Sequence, residues 1–270
     1  PPRRHPPSRR GAIEPMVSAY AKGSTSGDVG SEVQLQMMSI LMSRYAGRTQ
    51  PSLFGPEVDP DPSRPLKADA SVAAGARIQL MHEHGRPVYY GIDDLCDAAW
   101  ENAEQFLRLA ADLVDAIELK LVRDQKPRSL DPATQNRLLR EGGSRIVERW
   151  NFPQHKHVLR LANWLAERCL DQTLAANAPL GAGANACGIP QDEFERLAAE
   201  RPGLASALKF GLAYNAFSIV PKYPVKKRHW CLIELGGALV LKYGLPLTRG
   251  GFVETTADEL GRVVGEVAAL

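Results

Sequence analysis

Lys222, Lys226, Lys227 and Arg228 crowd one proline-bearing turn, PKYPVKKRH. Cations gathered in this way can neutralise phosphates at the edge of a duplex. Each such contact releases counterions, so it strengthens binding and weakens with salt. The turn separates two apolar runs, Phe217 to Val220 and Trp230 to Leu235. The cations would therefore ride the tip of a hairpin. The same lysines also have a plainer use, because charge keeps a hairpin tip solvated and blunts its edges. Immediately upstream, Leu204 to Ala216 carries Ser206, Lys209, Tyr214 and Asn215 among apolar residues. On a helix these side chains could enter a major groove and touch base edges or phosphates. Phe210, in the same stretch, reads as core.

The other reactive residue types do not assemble. His82 and His84, like His155 and His157, are two residues apart and point to different helix faces. A helical zinc pair needs i, i+4 spacing. Cys96, Cys169, Cys187 and Cys231 are far apart and form no C-x-x-C pair. They read as buried thiols of a reducing, cytoplasmic compartment. Asp93, Asp94 and Asp97, and also Glu193 and Glu195, match the preference of a helix's first turn for acids. No Ser-His-Asp or Cys-His arrangement follows from local spacing. The stretch GSTSGDVG at Gly23 to Gly30 lacks the Lys and Ser/Thr of a phosphate loop, and no strand precedes it. The sequence thus assigns no catalytic residue, no metal ligand and no cofactor of the chain's own. Arg108, in NAEQFLRLA, could reach a nucleotide bound elsewhere; on spacing alone it is a surface arginine.

Composition narrows the partners. The formal charge of the 270 residues is only +2. Nucleic-acid binding must then rest on local clusters rather than on a global field. No run of roughly 18 apolar residues is present, so no membrane span is expected. The opening PPRRHPPSRR has no apolar region behind it, unlike a secretory signal. The chain begins without Met, which reads either as a fragment of a longer protein or as a chain whose true start is missing.

These residues need elements to position them. Residues 1–30, rich in Pro, Arg, Gly and Ser, read as a disordered segment or linker. Glu32 to Tyr45 reads as a helix with Met37, Met38, Leu41 and Met42 on an apolar face, followed by a proline-rich loop to Pro65. Ala68 to His84 is the next helix, stopped by Gly85 and Pro87. After an aromatic link, Val88 to Gly91, a short helix runs to Trp100. A longer one follows, AEQFLRLAADLVDAIELKLV, with Phe106, Leu109, Leu113 and Ile117 in register. Asp131-Pro132 opens a helix to Trp150, with Gly142-Gly143 as a weak point in its middle. His155 to Leu174 is strongly amphipathic. ANAPLGAGANACG reads as a flexible loop. Two helices, Pro190 to Glu200 and Leu204 to Ala216, meet at Arg201-Pro202-Gly203. Helix, turn, helix and hairpin in that order give a helix-turn-helix with a wing. Thr255 or Thr256 caps a last helix. The expected fold is mainly α: a helical bundle over 31–124, then a winged helix-turn-helix with a β-hairpin wing over 125–270.

The run YYGIDDLCDAAWENAEQFLRLAADLVD resembles the lid subdomain of bacterial AAA+ ATPases of the origin-recognition type. RTQPSLF before it and WCLIELGGALVLKYGLPLTRGGF after the helix-turn-helix are similar to the tail of the same family. The resemblance covers roughly 32–260. It implies a helical lid that packs on an ATPase core, and a C-terminal winged helix that grips duplex DNA. ATP would bind through a core upstream of this chain, which itself has neither a G-x-x-x-x-G-K-S/T loop nor an acidic strand for magnesium. The family's lid helix offers a sensor arginine near its start. Here Glu101 to Glu104 occupy that neighbourhood, and Arg108 lies one turn later. The rival expectation is a protein-interaction module, in which the winged helix docks a partner and Met37, Met38 and Met42 form part of an adaptable surface.

Overall fold

Caps written in the sequence set where the helices begin. In the computed structural model, which describes residues 30–48, 70–225 and 227–265, Asn102 accepts a hydrogen bond from the amide of Gln105 at 3.0 Å. This opens α4 (Ala103–Val122) behind the short α3 (Ile92–Ala99). Asp131 does the same for α5 (Pro132–Glu148), accepting from the amide of Thr134 at 2.9 Å, with Pro132 in the first turn. Two earlier helices, α1 (Ser31–Arg48) and α2 (Ala70–His84), precede them. The α1 helix runs past its expected end at Tyr45. Most of the linker expected over 1–30, and most of the proline-rich loop after α1, lie outside the described residues.

The second half is built on α6 (His155–Thr173). Val158, Leu161, Leu165 and Cys169 are fully buried along one face of it. Then come β1 (Ala184–Pro190), α7 (Gln191–Glu200), α8 (Pro202–Ala213), β2 (Phe217–Val225), β3 (Arg228–Leu235), α9 (Gly237–Tyr243), β4 (Gly251–Glu254) and α10 (Ala257–Val264). The sheet order is β2-β3-β1-β4. β1 is antiparallel to β3, with Cys187 opposite Ile233, and parallel to β4. The molecule is mainly helical with one small mixed sheet.

One strand stands where a loop was expected, and another where no element was assigned. β1 starts inside the ANAPLGAGANACG stretch, and β4 covers Gly251–Glu254. β1 is buried on both faces over Ala184 to Ile189, so it has no polar-apolar alternation to reveal it. Its small residues answer to close packing: a Cβ on Gly188 would meet the ring of Phe252 at 2.6 Å. Asn185 anchors the same strand, donating through Nδ2 to the carbonyls of Pro246 at 3.1 Å and Leu247 at 3.3 Å.

Buried residues fall into three clusters. The largest joins α6, the sheet, α8, α9 and α10 through Leu165, Leu204, Ile233 and Leu260, among others. A second joins α2, the 85–91 link, α3, α4 and α5 through Tyr89, Leu109 and Leu139, and takes Leu241 from α9. A third holds α1 on α2 through Met37, Ile40 and Val72. The α9 helix thus belongs to both large clusters. Gly142 and Gly143 make this possible. A Cβ on Gly143 would meet the Ala238 carbonyl and Leu241 Cβ at 2.8 Å each, and one on Gly142 would meet Leu109 at 2.9 Å. The glycine pair is the place where α4 and α9 close on α5, not a weak point.

Candidate nucleic-acid interface

The hairpin of β2 and β3 pairs Phe217 with Leu235 at its base and Val225 with Arg228 at its tip. Register slips between Val220 and Tyr223, where Lys222 has φ 55°. The slip is an irregularity of the bulge type, which bends a strand and sharpens its twist. It also turns the Lys222 amide towards the start of α7, where Gln191 Oε1 accepts from it at 2.8 Å. Lys222 is therefore exposed along the strand, fixed by its backbone, whereas Lys227 and Arg228 are exposed at the tip. Lys227 takes φ 68°, as a tight hairpin turn demands. Lys226 lies outside the described residues. No carboxylate pairs with Lys222, Lys227 or Arg228 among the described residues.

The base of the hairpin is clasped from one side. Arg249 forms an ion pair with Glu234, and its guanidinium also lies 4.9 Å from the ring centroid of Tyr223. Ser218 Oγ donates to Glu234 at 2.9 Å. Phe252 of β4 packs against Trp230 at 5.5 Å and edge-on to Tyr223 at 6.1 Å. Sequence reasoning passed over Arg249, Glu234 and Phe252. The short β4 that brings Phe252 to the hairpin, with Arg249 just ahead of it, carries no strand pattern of its own.

On α8, Lys209 is exposed and Ser206 half-buried, while Leu204, Ala207 and Leu208 face the core. Phe210 is half-buried against that core. Tyr214 caps the helix C-terminus and is 48 % exposed. Its inner ring face stacks on Phe152 at 4.2 Å with 6° between planes, and Trp150 touches Phe152 at 5.5 Å. The start of α6 lies beside this stack, because His155 Nδ1 meets the Phe152 carbonyl at 2.9 Å. Lys156 is exposed one residue on. The outward face of α8 offers few hydrogen-bond donors for base edges. By contrast, α7 presents Asp192, Arg196 and Glu200 as internal ion pairs.

The remaining candidates lie elsewhere. Arg108 is exposed on α4 and paired with Glu104 at 2.6 Å. It does not line the cavity of about 530 Å³ between α1, α2 and α3, whose walls include Arg77, Val88, Tyr90 and Asp94. Burial, with Asp97 and Asp93 nearby, raises the Asp94 carboxyl above its usual range against the pull of the Tyr90 amide and Arg77. His82 meets the Gly244 carbonyl at 2.8 Å, and His157 meets Gln154 at 2.5 Å. Cys169, Cys187 and Cys231 are buried and Cys96 is exposed. Burial pushes the Cys231 thiol up to about 12. A hydrogen bond with Cys169, together with burial, raises Cys187. Among the described residues no helix is long and apolar enough to cross a membrane.

No family model, no curated protein and no solved structure matches this chain.

Proposed function

We propose that α6, β1, α7, α8, β2 and β3 form a winged helix-turn-helix that grips duplex DNA mainly through phosphates. The observation that carries this reading is the element order together with the pairing of β1 on β3. That pairing docks the hairpin beside the α7–α8 unit, and Lys222, Lys227 and Arg228 are exposed and have no carboxylate partner among the described residues. On this reading Ser206, Lys209 and Tyr214 meet the duplex from α8, and the hairpin is the wing. The scarcity of donors on α8 favours phosphate contact over base readout. The helices α1 to α4 are then the lid-like bundle of an AAA+ ATPase of the origin-recognition type. ATP belongs to a separate core, and Arg108 is the cation of this chain nearest in sequence to that family's sensor position.

A second reading has its own support. Leu212 is 41 % exposed beside Tyr214, and Leu107, Val114 and Leu121 recur every seven residues on the open side of α4 at 66, 50 and 47 % exposure. A protein partner would cover such residues. Met37 contributes nothing to that surface, because it is buried against α2.

Fluorescence anisotropy with a mixed-sequence 30-base-pair duplex, repeated from 50 to 300 mM KCl, separates the two. The DNA reading expects affinity to fall steeply as salt rises. Absent or salt-insensitive binding would contradict it and leave the protein-docking reading standing.

A further inference from the structure

The arginines of α5 were not part of the sequence expectation. Arg137, Arg140, Ser144 and Glu148 recur at helical spacing along one side of α5. The close approach at Gly143 brings the end of α9 against that side. Arg140, Ser144 and Lys242 thereby line one open hollow of about 530 Å³. Two neighbouring arginines are already engaged: Arg137 by Glu141 at 3.0 Å and Arg145 by Asp112 at 2.5 Å. Arg140 and Lys242 have no carboxylate partner among the described residues. Arg140 Nε only reaches the Leu241 carbonyl, at 3.4 Å, and Lys242 Nζ lies 5.7 Å from the centroid of the Tyr243 ring. A planar guanidinium, an ammonium and a hydroxyl around a solvent-open hollow suit a phosphate oxygen.

Position says whose phosphate it is. The α5 helix ends in the exposed Arg149, and Trp150 and Phe152 follow it directly into the stack on Tyr214. The C-terminal end of α5 therefore lies next to the end of α8, and the hollow sits further back along the same helix. Arg140 lies nine residues before Arg149, or about 13 Å at the helical rise. That is about four base-pair steps of duplex. We infer that Arg140, Ser144 and Lys242 hold a backbone phosphate of the same duplex, beyond the stretch that α8 and the wing cover. This rests on the DNA reading above and adds to it a second, separate phosphate contact. Glu141 and Glu148 also line the hollow; Glu141 is held by Arg137, whereas Glu148 opposes the anion, so its charge limits how closely the backbone follows α5 towards its end.

The test uses the full chain and the 30-base-pair duplex. Arg140→Ala with Lys242→Ala should lower the salt slope by about one unit and weaken affinity several-fold at low salt. Hydroxyl-radical protection should shrink at one end of the footprint by about four base pairs. Glu148→Gln should strengthen binding. Arg140→Lys with Lys242→Arg keeps the charge and should keep the slope, and Arg140→Gln alone replaces the double variant if that one unfolds. An unchanged slope and footprint would overturn the inference while leaving the wing reading intact, provided that Lys227→Ala with Arg228→Ala still lowers the slope. A wild-type chain that binds no duplex would remove both.

Discussion

Tyr214 shows how one side chain serves two ends. Its ring stacks on Phe152 while the residue stays about half exposed. Such a ring pair contributes about 0.5–1.5 kcal/mol beyond the area it buries. Tyr214→Phe should keep that stability and lose only a polar contact with the duplex. Tyr214→Ala should lower stability by about 1 kcal/mol and weaken duplex binding further. Urea unfolding and anisotropy on the two variants check this. Equal duplex affinities for the two variants would remove the ring from the interface. The cysteines behave oppositely to one another. With three thiols buried and Cys96 exposed, a thiol-specific reagent should modify Cys96 quickly in the native state and reach the rest only on unfolding. Mass mapping of the labelled peptides reads this directly. The hairpin cations, Lys209 and Tyr214 were legible in the sequence because charge and aromatic content are local. The partners that hold them were not. Phe152 and Arg249 are distant in sequence from Tyr214 and Tyr223, and only the fold brings them together.

At the scale of elements, capped and amphipathic helices were readable, since Asn102, Asp131 and Thr256 announce their starts. β1 and β4 were not readable, because a strand buried on both faces and a four-residue strand lack periodicity. The glycine pair in α5 was read with the wrong sign for the same reason: propensity is local, and the contact is with α4 and α9. Propensity alone would have Gly143→Ala stabilise α5 by about 1 kcal/mol. The added methyl would instead press on the Ala238 carbonyl and Leu241 Cβ, so a net loss of about 2 kcal/mol is expected. Chemical denaturation decides the sign, and a gain in stability would mean that α9 yields easily. Since α9 carries Lys242, the same substitution should also weaken the phosphate contact proposed for Arg140.

The whole molecule is tied together by α9, which shares the cores of both halves. Its stability should depend on pH at the alkaline end. Burial raises the Cys231 thiol from 9.0 to about 12 and raises Tyr89 as well. Both groups hold their protons more tightly when folded than when unfolded. Their contribution is complete below pH 9 and is lost as pH climbs through the folded value. Urea midpoints should therefore be level from pH 7 to 9 and fall by pH 11, and Cys231→Ala should soften that fall. A midpoint unchanged at pH 11 would contradict this account of the burial. The central claim concerns the wing. It is tested most directly by the dependence of duplex affinity on salt in the wild-type chain and in a variant with Lys226, Lys227 and Arg228 replaced by Ala. A fall in the log–log slope by about 2 to 3 units is the expected result; an unchanged slope would contradict the wing.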